Sequence, residues 1–75
     1  MNNGERFEKL VGIVRRLRID DGCPWDREQT HDSLLPHLLE ETYEVMEAVD
    51  SQNWKALSEE LGDVLLHVLF QSDIA

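Results

Sequence analysis

The amino-acid sequence predicts an all-α domain, built from a helical arm and an antiparallel helical hairpin. Apolar residues recur every three or four positions in three long segments, which is the period of an amphipathic α-helix. No segment shows the strict polar–apolar alternation of a half-buried β-strand. Short polar connections separate the segments, and short connections make consecutive helices antiparallel neighbours. These three observations predict the fold class.

The first helix is predicted from about Glu5 to Ile19. Its apolar positions follow a 3, 1, 3, 3 spacing: Phe7, Leu10, Val11, Val14 and Leu17. The sequence Asp20-Asp21-Gly22 is expected to end this helix, because acidic residues before a glycine are typical of turns. The following segment Cys23–Asp32, "CPWDREQTHD", has turn residues and no hydrophobic period, and therefore predicts a loop.

The second helix is predicted to begin after Ser33, whose hydroxyl suits an N-cap, and to end near Val49. Pro36 would then lie in the first turn, where its missing N–H does no harm. Asn53 is the predicted N-cap of a third helix that starts at Trp54 and reaches the last residue without a stop signal. An apolar pattern that ends in mid-helix predicts that the domain, taken here as residues 1–75, is incomplete at its C-terminus.

A chain of 75 residues forms one small domain with a marginal core. Cys23 is the single cysteine, so no internal disulfide is available, and the histidines lack the spacing of a zinc site. The third helix is apolar in almost every direction, which is typical of a buried helix. We therefore expect a homodimer or higher oligomer, in which self-association completes a four-helix-type bundle.

The charge pattern limits the function. The formal net charge of -9 and the sequence pI of about 4.5 argue against nucleic acid as the partner. No apolar run is long enough for a membrane span and no signal peptide is evident, so the expected location is the cytoplasm, away from membranes. No lysine or arginine lies between Arg27 and Lys55, although this region is rich in acids.

The acids fall on two predicted helices. Glutamates on the second helix are Glu40, Glu41, Glu44 and Glu47. On the third helix, Glu60 and Asp63 belong to a narrow polar strip that continues through His67 and Gln71. Acids on a buried helix are costly unless they are paired or bind metal. An all-oxygen ligand set favours magnesium, manganese or calcium, and magnesium is commonly shared with substrate phosphates. A solvated acidic face is the alternative.

Two linked motifs resemble a known family. "EETYE" (Glu40–Glu44) followed by "EELGD" (Glu59–Asp63) is similar to the E-E-x-x-E … E-x-x-D signature of the MazG nucleoside triphosphate pyrophosphohydrolases. The segment Cys23–Glu41 resembles the one that precedes the motif in MazG N-terminal domains. The resemblance runs from about Arg15 to Ala75. It implies an all-α oligomer with a four-helix core, and hydrolysis of a nucleoside triphosphate to the monophosphate and pyrophosphate with magnesium.

Carried onto this sequence, the resemblance implies that Mg²⁺, or alternatively Mn²⁺, is bound by four residues: Glu41, Glu44, Glu60 and Asp63. Glu40 also matches the motif and is expected to orient or deprotonate the attacking water, with Glu41 beside it as the second catalytic carboxylate. Family members continue into further helices whose basic residues help to hold the phosphates. Activity of these 75 residues alone is a separate question.

Other residues allow two interpretations each. Trp25 is a candidate substrate contact that stacks on a base, or it pins its loop to the core. Arg18 is a candidate phosphate contact, or else a surface charge or a partner for the acidic hairpin. His67 is interpreted as an interior histidine with satisfied hydrogen bonds, with a role behind the metal ligands as the alternative. The rival function is a non-catalytic helical assembly module with an acidic, partner-binding surface.

Overall fold

A computed structural model describes residues 1–19 and 21–75, and this part of the chain forms four helices. They are α1 (Asn3–Leu17), α2 (Pro24–Glu28), α3 (His31–Asp50) and α4 (Trp54–Ile74). The prediction of an all-α fold is confirmed, since the described residues contain no strand. Asp20, which was expected to help end the first helix, lies outside the described residues. None of the described helices has the length and apolar character that a membrane span requires.

Helix α1 begins two residues before the predicted Glu5. The Asn2 side chain is its N-cap and accepts a hydrogen bond from the Glu5 backbone N–H at 2.8 Å. A side-chain oxygen at this position satisfies one of the backbone donors that a helix leaves free at its N-terminus. Arg15 and Arg16 lie in the last turn, where positive charge is favourable for the helix dipole.

The prediction of a loop over Cys23–Asp32 is wrong at its centre, where Pro24–Glu28 forms α2. Proline is favoured in the first turn of a helix because its missing N–H would have no intrahelical partner there. The same residue that indicates a turn in the sequence therefore starts this short helix. Asp26 in its first turn also has the charge that a helix N-terminus favours.

Helix α3 begins earlier than predicted. Its N-cap is Thr30, and Ser33 is the third helical residue, so the assignment of Ser33 as the N-cap is wrong. The Thr30 hydroxyl accepts a hydrogen bond from the Ser33 N–H at 3.0 Å, and the Ser33 hydroxyl accepts one from the Thr30 N–H at 2.9 Å. Two backbone donors are thus satisfied reciprocally. Pro36 consequently lies inside the helix, beyond the first turn where it was predicted.

Helices α3 and α4 pack along each other and are joined by a three-residue connection. Within it, Gln52 has a φ of 55°, and Asn53 is the N-cap of α4, as predicted. The Asn53 side chain accepts a hydrogen bond from the Ala56 N–H at 3.1 Å. His31 near the start of α3 contacts Gln71 near the end of α4, so the two helices run antiparallel.

The core lies where α1 and the start of α3 pack against the C-terminal half of α4. It contains four buried apolar residues: Val14, Leu34, Leu69 and Phe70. Much of the rest of α4 is open to solvent, because Leu61, Leu65 and Val68 remain 50%, 43% and 51% exposed. The described residues therefore leave an apolar face of α4 uncovered. The molecule is correspondingly flat, with extents of 41 × 34 × 18 Å.

Candidate active site

Four of the predicted site residues face one another across the α3–α4 contact. Glu41 and Glu44 belong to α3, and Glu60 and Asp63 belong to α4. The carboxyl groups of Glu44 and Glu60 share a hydrogen bond, and Glu41 interacts electrostatically with Asp63. The antiparallel packing of the helices therefore aligns two acid pairs about one helical turn apart.

The Glu44–Glu60 pair holds a proton near neutral pH. The hydrogen bond to Glu44 raises the pKa of Glu60 to about 7, with further contributions from burial and from the negative charges around it. Two carboxylates this close cannot both ionise without repulsion, so one of them retains its proton to a higher pH. Above about pH 7 the Glu60 carboxyl group loses its proton, and repulsion within the pair increases.

Glu41 is partly shielded from solvent. Burial raises the pKa of its carboxyl group, the nearby His67 opposes this shift, and the charge of Asp63 adds to it. Within residues 1–19 and 21–75, neither Oε2 of Glu41 nor Oε2 of Glu60 receives a hydrogen bond, although both atoms are shielded from solvent. A buried oxygen without a donor is costly, and a bound cation is one way to satisfy it.

Each acid pair lines one of two pockets. Glu41 and Asp63 line the larger one, of about 320 Å³, whose walls are mostly apolar and aromatic. Its other lining residues are Leu17, Trp25, Asp26, Leu34, His37, Leu66, His67 and Phe70. Glu44 and Glu60 line a smaller pocket of about 230 Å³ near the α3–α4 connection, together with Glu47. A ligand in the larger pocket would therefore lie beside one acid pair.

The donor set of the four acids fits a divalent cation that prefers oxygen, and two of their oxygens have no hydrogen-bond donor in the described part of the chain. In the part of the chain that the structure describes, however, no group of three or more Asp, Glu, His or Cys side chains is already arranged to hold a metal ion. The carboxyl groups are thus close enough to interact but do not form a ready-made cage. Rotation of these long side chains would be needed to converge on a cation.

The remaining predicted site residues are placed differently. Glu40 is exposed on α3 and lines neither of the two pockets described above. The Trp25 side chain lies in the wall of the larger pocket and packs edge-on against the His37 ring, with 6.3 Å between ring centroids. Trp25 is 55% exposed, so its ring packs against His37 without being buried in the core. Its accessible ring remains free to contact a ligand.

Arg18 makes contacts within the chain. Its Nη1 atom lies 2.9 Å from Oδ2 of Asp73 on α4, and its Nε donates to the Asp26 carbonyl of α2 at 3.3 Å. The Arg18 side chain is 15% exposed. Arg18 is therefore not a surface charge, and its pairing with Asp73 agrees with the alternative that it is a partner for an acid of the hairpin.

His67 is buried, as the interpretation of an interior histidine requires, and it also lines the larger pocket. The Gln71 amide nitrogen lies 3.2 Å from His67 Nε2 and 3.2 Å from the His31 carbonyl oxygen, and its amide oxygen contacts His31 Nδ1. The polar strip on α4 indicated Gln71 in the sequence. His37 was missed, although its position four residues before Glu41 places both on one helix face.

Comparison with known proteins decides the family. Residues 29–75 match the model of the MazG nucleotide pyrophosphohydrolase domain, which is more than half of the chain. The chain belongs to the MazG family. Over 72 residues it is 56% identical to the nucleoside triphosphate pyrophosphohydrolase/pyrophosphatase MazG of Thermotoga maritima, covering 96% of this chain and 28% of that protein. The predicted family resemblance is thereby confirmed.

Two further MazG relatives are similar over nearly the whole chain. The nucleoside triphosphate pyrophosphohydrolase of Mycolicibacterium smegmatis is 56% identical over 72 residues, covering 96% of this chain and 22% of that protein. The protein of the same name from Escherichia coli K12 is 44% identical over 71 residues, covering 93% and 27%. The chain thus spans about a quarter of the length of these curated relatives.

Proposed function

We propose that this chain binds a nucleoside triphosphate and hydrolyses it between the α- and β-phosphates in a magnesium-dependent reaction. The products would be a nucleoside monophosphate and pyrophosphate, and the cellular role would be the clearing of nucleotide pools. The names of the MazG relatives support this reaction class. The observation that carries the proposal is the pair of shielded carboxylate oxygens, on Glu41 and Glu60, among facing acids of which Glu41 and Asp63 line the apolar pocket.

The residues proposed to hold Mg²⁺, or Mn²⁺ in its place, are Glu41, Glu44, Glu60 and Asp63. Bound there, the cation would supply charge neutralisation for the phosphate oxygens and a lowered pKa for a water molecule. The protein's own contribution is to keep four anionic side chains on two rigid helices. Bringing these acids together matters because phosphoryl transfer depends on positioning and electrostatics more than on covalent chemistry by the protein.

Other residues of the chain are candidates to activate the attacking water and to bind the nucleoside. Glu40 is exposed on the turn of α3 that carries Glu41, so water reaches it, and it is our candidate to orient or deprotonate the nucleophile. The larger pocket, with Trp25 and His37 in its wall, is the candidate site for the nucleoside. An accessible indole ring offers a flat apolar face for a base.

We also propose that a second copy covers the exposed apolar faces of α3 and α4, which completes a four-helix bundle. The exposed residues on α3 include Leu35, Leu39, Tyr43 and Met46, at spacings of 4, 4 and 3. On α4, Leu61, Leu65 and Val68 form the corresponding stripe. Large exposed apolar patches on soluble domains mark interaction sites. Sedimentation showing a compact monomer at micromolar concentration would contradict this assembly.

Product analysis tests the reaction. The chain is incubated with each nucleoside triphosphate and Mg²⁺, and the products are separated by ion-exchange chromatography. We expect monophosphate and pyrophosphate, and loss of turnover in Asp63→Asn but not in Glu59→Gln, which changes an exposed acid on the same helix. Diphosphate and orthophosphate would show cleavage at the wrong bond. Absence of turnover here and in a longer chain of the same protein would favour the non-catalytic assembly module.

A further inference from the structure

Helix α2 forms part of the wall of the larger pocket but has little stability of its own. It has five residues, and isolated helices shorter than about 12–15 residues are marginal in water. Its neighbours must therefore hold it in place. Trp25 and Asp26 of α2 both line the pocket, so the position of this helix determines the shape of the proposed nucleoside site.

Side-chain contacts tether α2 to the longer helices. One is the edge-on packing of Trp25 against His37 of α3. Another is the hydrogen bond from Arg18 Nε to the Asp26 carbonyl oxygen. The first contact involves the pocket wall itself, whereas Arg18 is not among the residues that line the pocket. Arg18 is thus a tether that is separate from the ligand-facing surface.

The same guanidinium is fixed to α4. Arg18 Nη1 pairs with Oδ2 of Asp73 at 2.9 Å, and Oδ1 of Asp73 lies 3.6 Å from Nε of Arg15. The Arg18 and Asp73 side chains are only 15% and 18% exposed. The nearby Arg16–Asp21 pair is 3.7 Å apart, and both of its side chains are largely exposed. Exposed pairs contribute little, so the shielded pair is the one that fixes geometry.

We propose that Arg18 is a positioning residue for the nucleotide pocket, acting as a fork that fixes α2 to the C-terminal end of α4. This role rests on the proposed function in one respect only, that the larger pocket receives the nucleoside. A guanidinium suits the task because it presents several N–H donors in a rigid plane. Lysine would retain the charge for Asp73 but could not hold both partners in the same geometry.

The test uses the full chain in a Trp54→Phe background, so that Trp25 is the single tryptophan. Three variants are compared: Arg18→Lys, Asp73→Asn and the control Arg16→Lys. Acrylamide quenching of Trp25 fluorescence reports how firmly α2 is held, and melting curves establish that each variant is folded at the assay temperature. Hydrolysis with Mg²⁺ gives KM and kcat.

We expect Arg18→Lys and Asp73→Asn to make Trp25 more readily quenched while the chain stays folded, and Arg16→Lys to match the parent. The KM of Arg18→Lys should rise roughly tenfold with kcat nearly unchanged, the factor that corresponds to one lost hydrogen bond to a charged group. If Arg18→Lys fails to fold, Asp73→Asn, which is nearly isosteric with the parent, decides the matter by the same readouts.

Unchanged quenching of Trp25 in a folded Arg18→Lys or Asp73→Asn variant would overturn the inference, even if the melting temperature falls, because the pair would then stabilise the fold without positioning α2. Equal increases in the variants and in the Arg16→Lys control would overturn it as well. If neither the parent nor a longer chain of the same protein shows hydrolysis, the proposed function fails, and the quenching comparison still decides the role of Arg18.

Discussion

Replacement of Glu44 by glutamine should separate metal binding from folding. In the metal-free chain the Glu44 carboxyl group shares a hydrogen bond with Glu60, whose pKa is about 7. At a pH well above that value, both groups are mostly ionised and repel each other. The amide introduced by Glu44→Gln would keep a hydrogen bond to Glu60 without the second negative charge. Glu44→Gln should therefore melt at the same temperature as the metal-free parent, or at a higher one.

With magnesium, the parent should instead melt at a higher temperature than Glu44→Gln. A ligand at about 100 times its dissociation constant adds about 2.7 kcal/mol to the free energy of unfolding. For a domain of this size, each kcal/mol shifts the melting temperature by about 4–8 °C, so the parent should gain roughly 11–22 °C. The glutamine variant should lose most of that gain, because a neutral amide is a weaker ligand for Mg²⁺ than a carboxylate.

The assay is thermal unfolding followed by circular dichroism, with and without Mg²⁺, at constant ionic strength so that general screening does not differ. Glu59→Gln is the matched control, since Glu59 is an exposed acid on α4 that lines neither pocket. It should retain the response to magnesium. If magnesium leaves the parent unchanged and Glu44→Gln destabilises the metal-free fold, the acids have a structural role and the metal site is wrong.

Three further outcomes follow from the fold. Val14→Ala should lower the free energy of unfolding in urea by about 2 kcal/mol, because Val14 is 1% exposed and the change removes two buried carbons. Ile13→Ala on the exposed side of α1 should lower it by less than about 0.5 kcal/mol, and equal losses would mean that this side is also buried. Gly22→Ala should lower the melting temperature, since an added Cβ would lie 2.4 Å from the Arg16 carbonyl oxygen, and an unchanged value would contradict the close approach. The metal-free chain should lose stability as the pH rises from 4.5 to about 7, because the folded state binds the Glu60 proton more tightly than the unfolded state, and a rise across that window would refute the raised pKa.

The long helices were predictable because a hydrophobic period extends over many residues, and Asn53 was recognisable at the start of α4. Helix α2 was not, since five residues contain too little of a period to distinguish a helix from a turn. The N-cap of α3 was misplaced because both Thr30 and Ser33 suit that position, and their reciprocal hydrogen bonds form only once the helix has begun.

The candidate site was predictable within each helix but not between helices. Spacing along the sequence indicates that Glu41 and Glu44 lie close together on α3, since residues three apart are neighbours on a helix. It does not indicate that Glu44 meets Glu60, which depends on how α4 packs. The role of Arg18 was equally hidden, because its partner Asp73 is 55 residues away. Whether the four acids bind metal stays a prediction.

That long separation has a consequence for the order in which the chain folds. Contacts between α3 and α4 need only a three-residue connection to close, whereas the Arg18–Asp73 pair closes a loop of 55 residues. Loop closure costs more entropy as the loop lengthens, and nearby contacts form faster than distant ones. The α3–α4 pair should therefore form first, with α1 and α2 docking onto it afterwards. In the native ensemble, local unfolding should follow the reverse order, with α1 and α2 separating from the α3–α4 pair while the acid pairs stay in place. Backbone amides of α1 should therefore exchange with deuterium before those in the middle of α3 and α4.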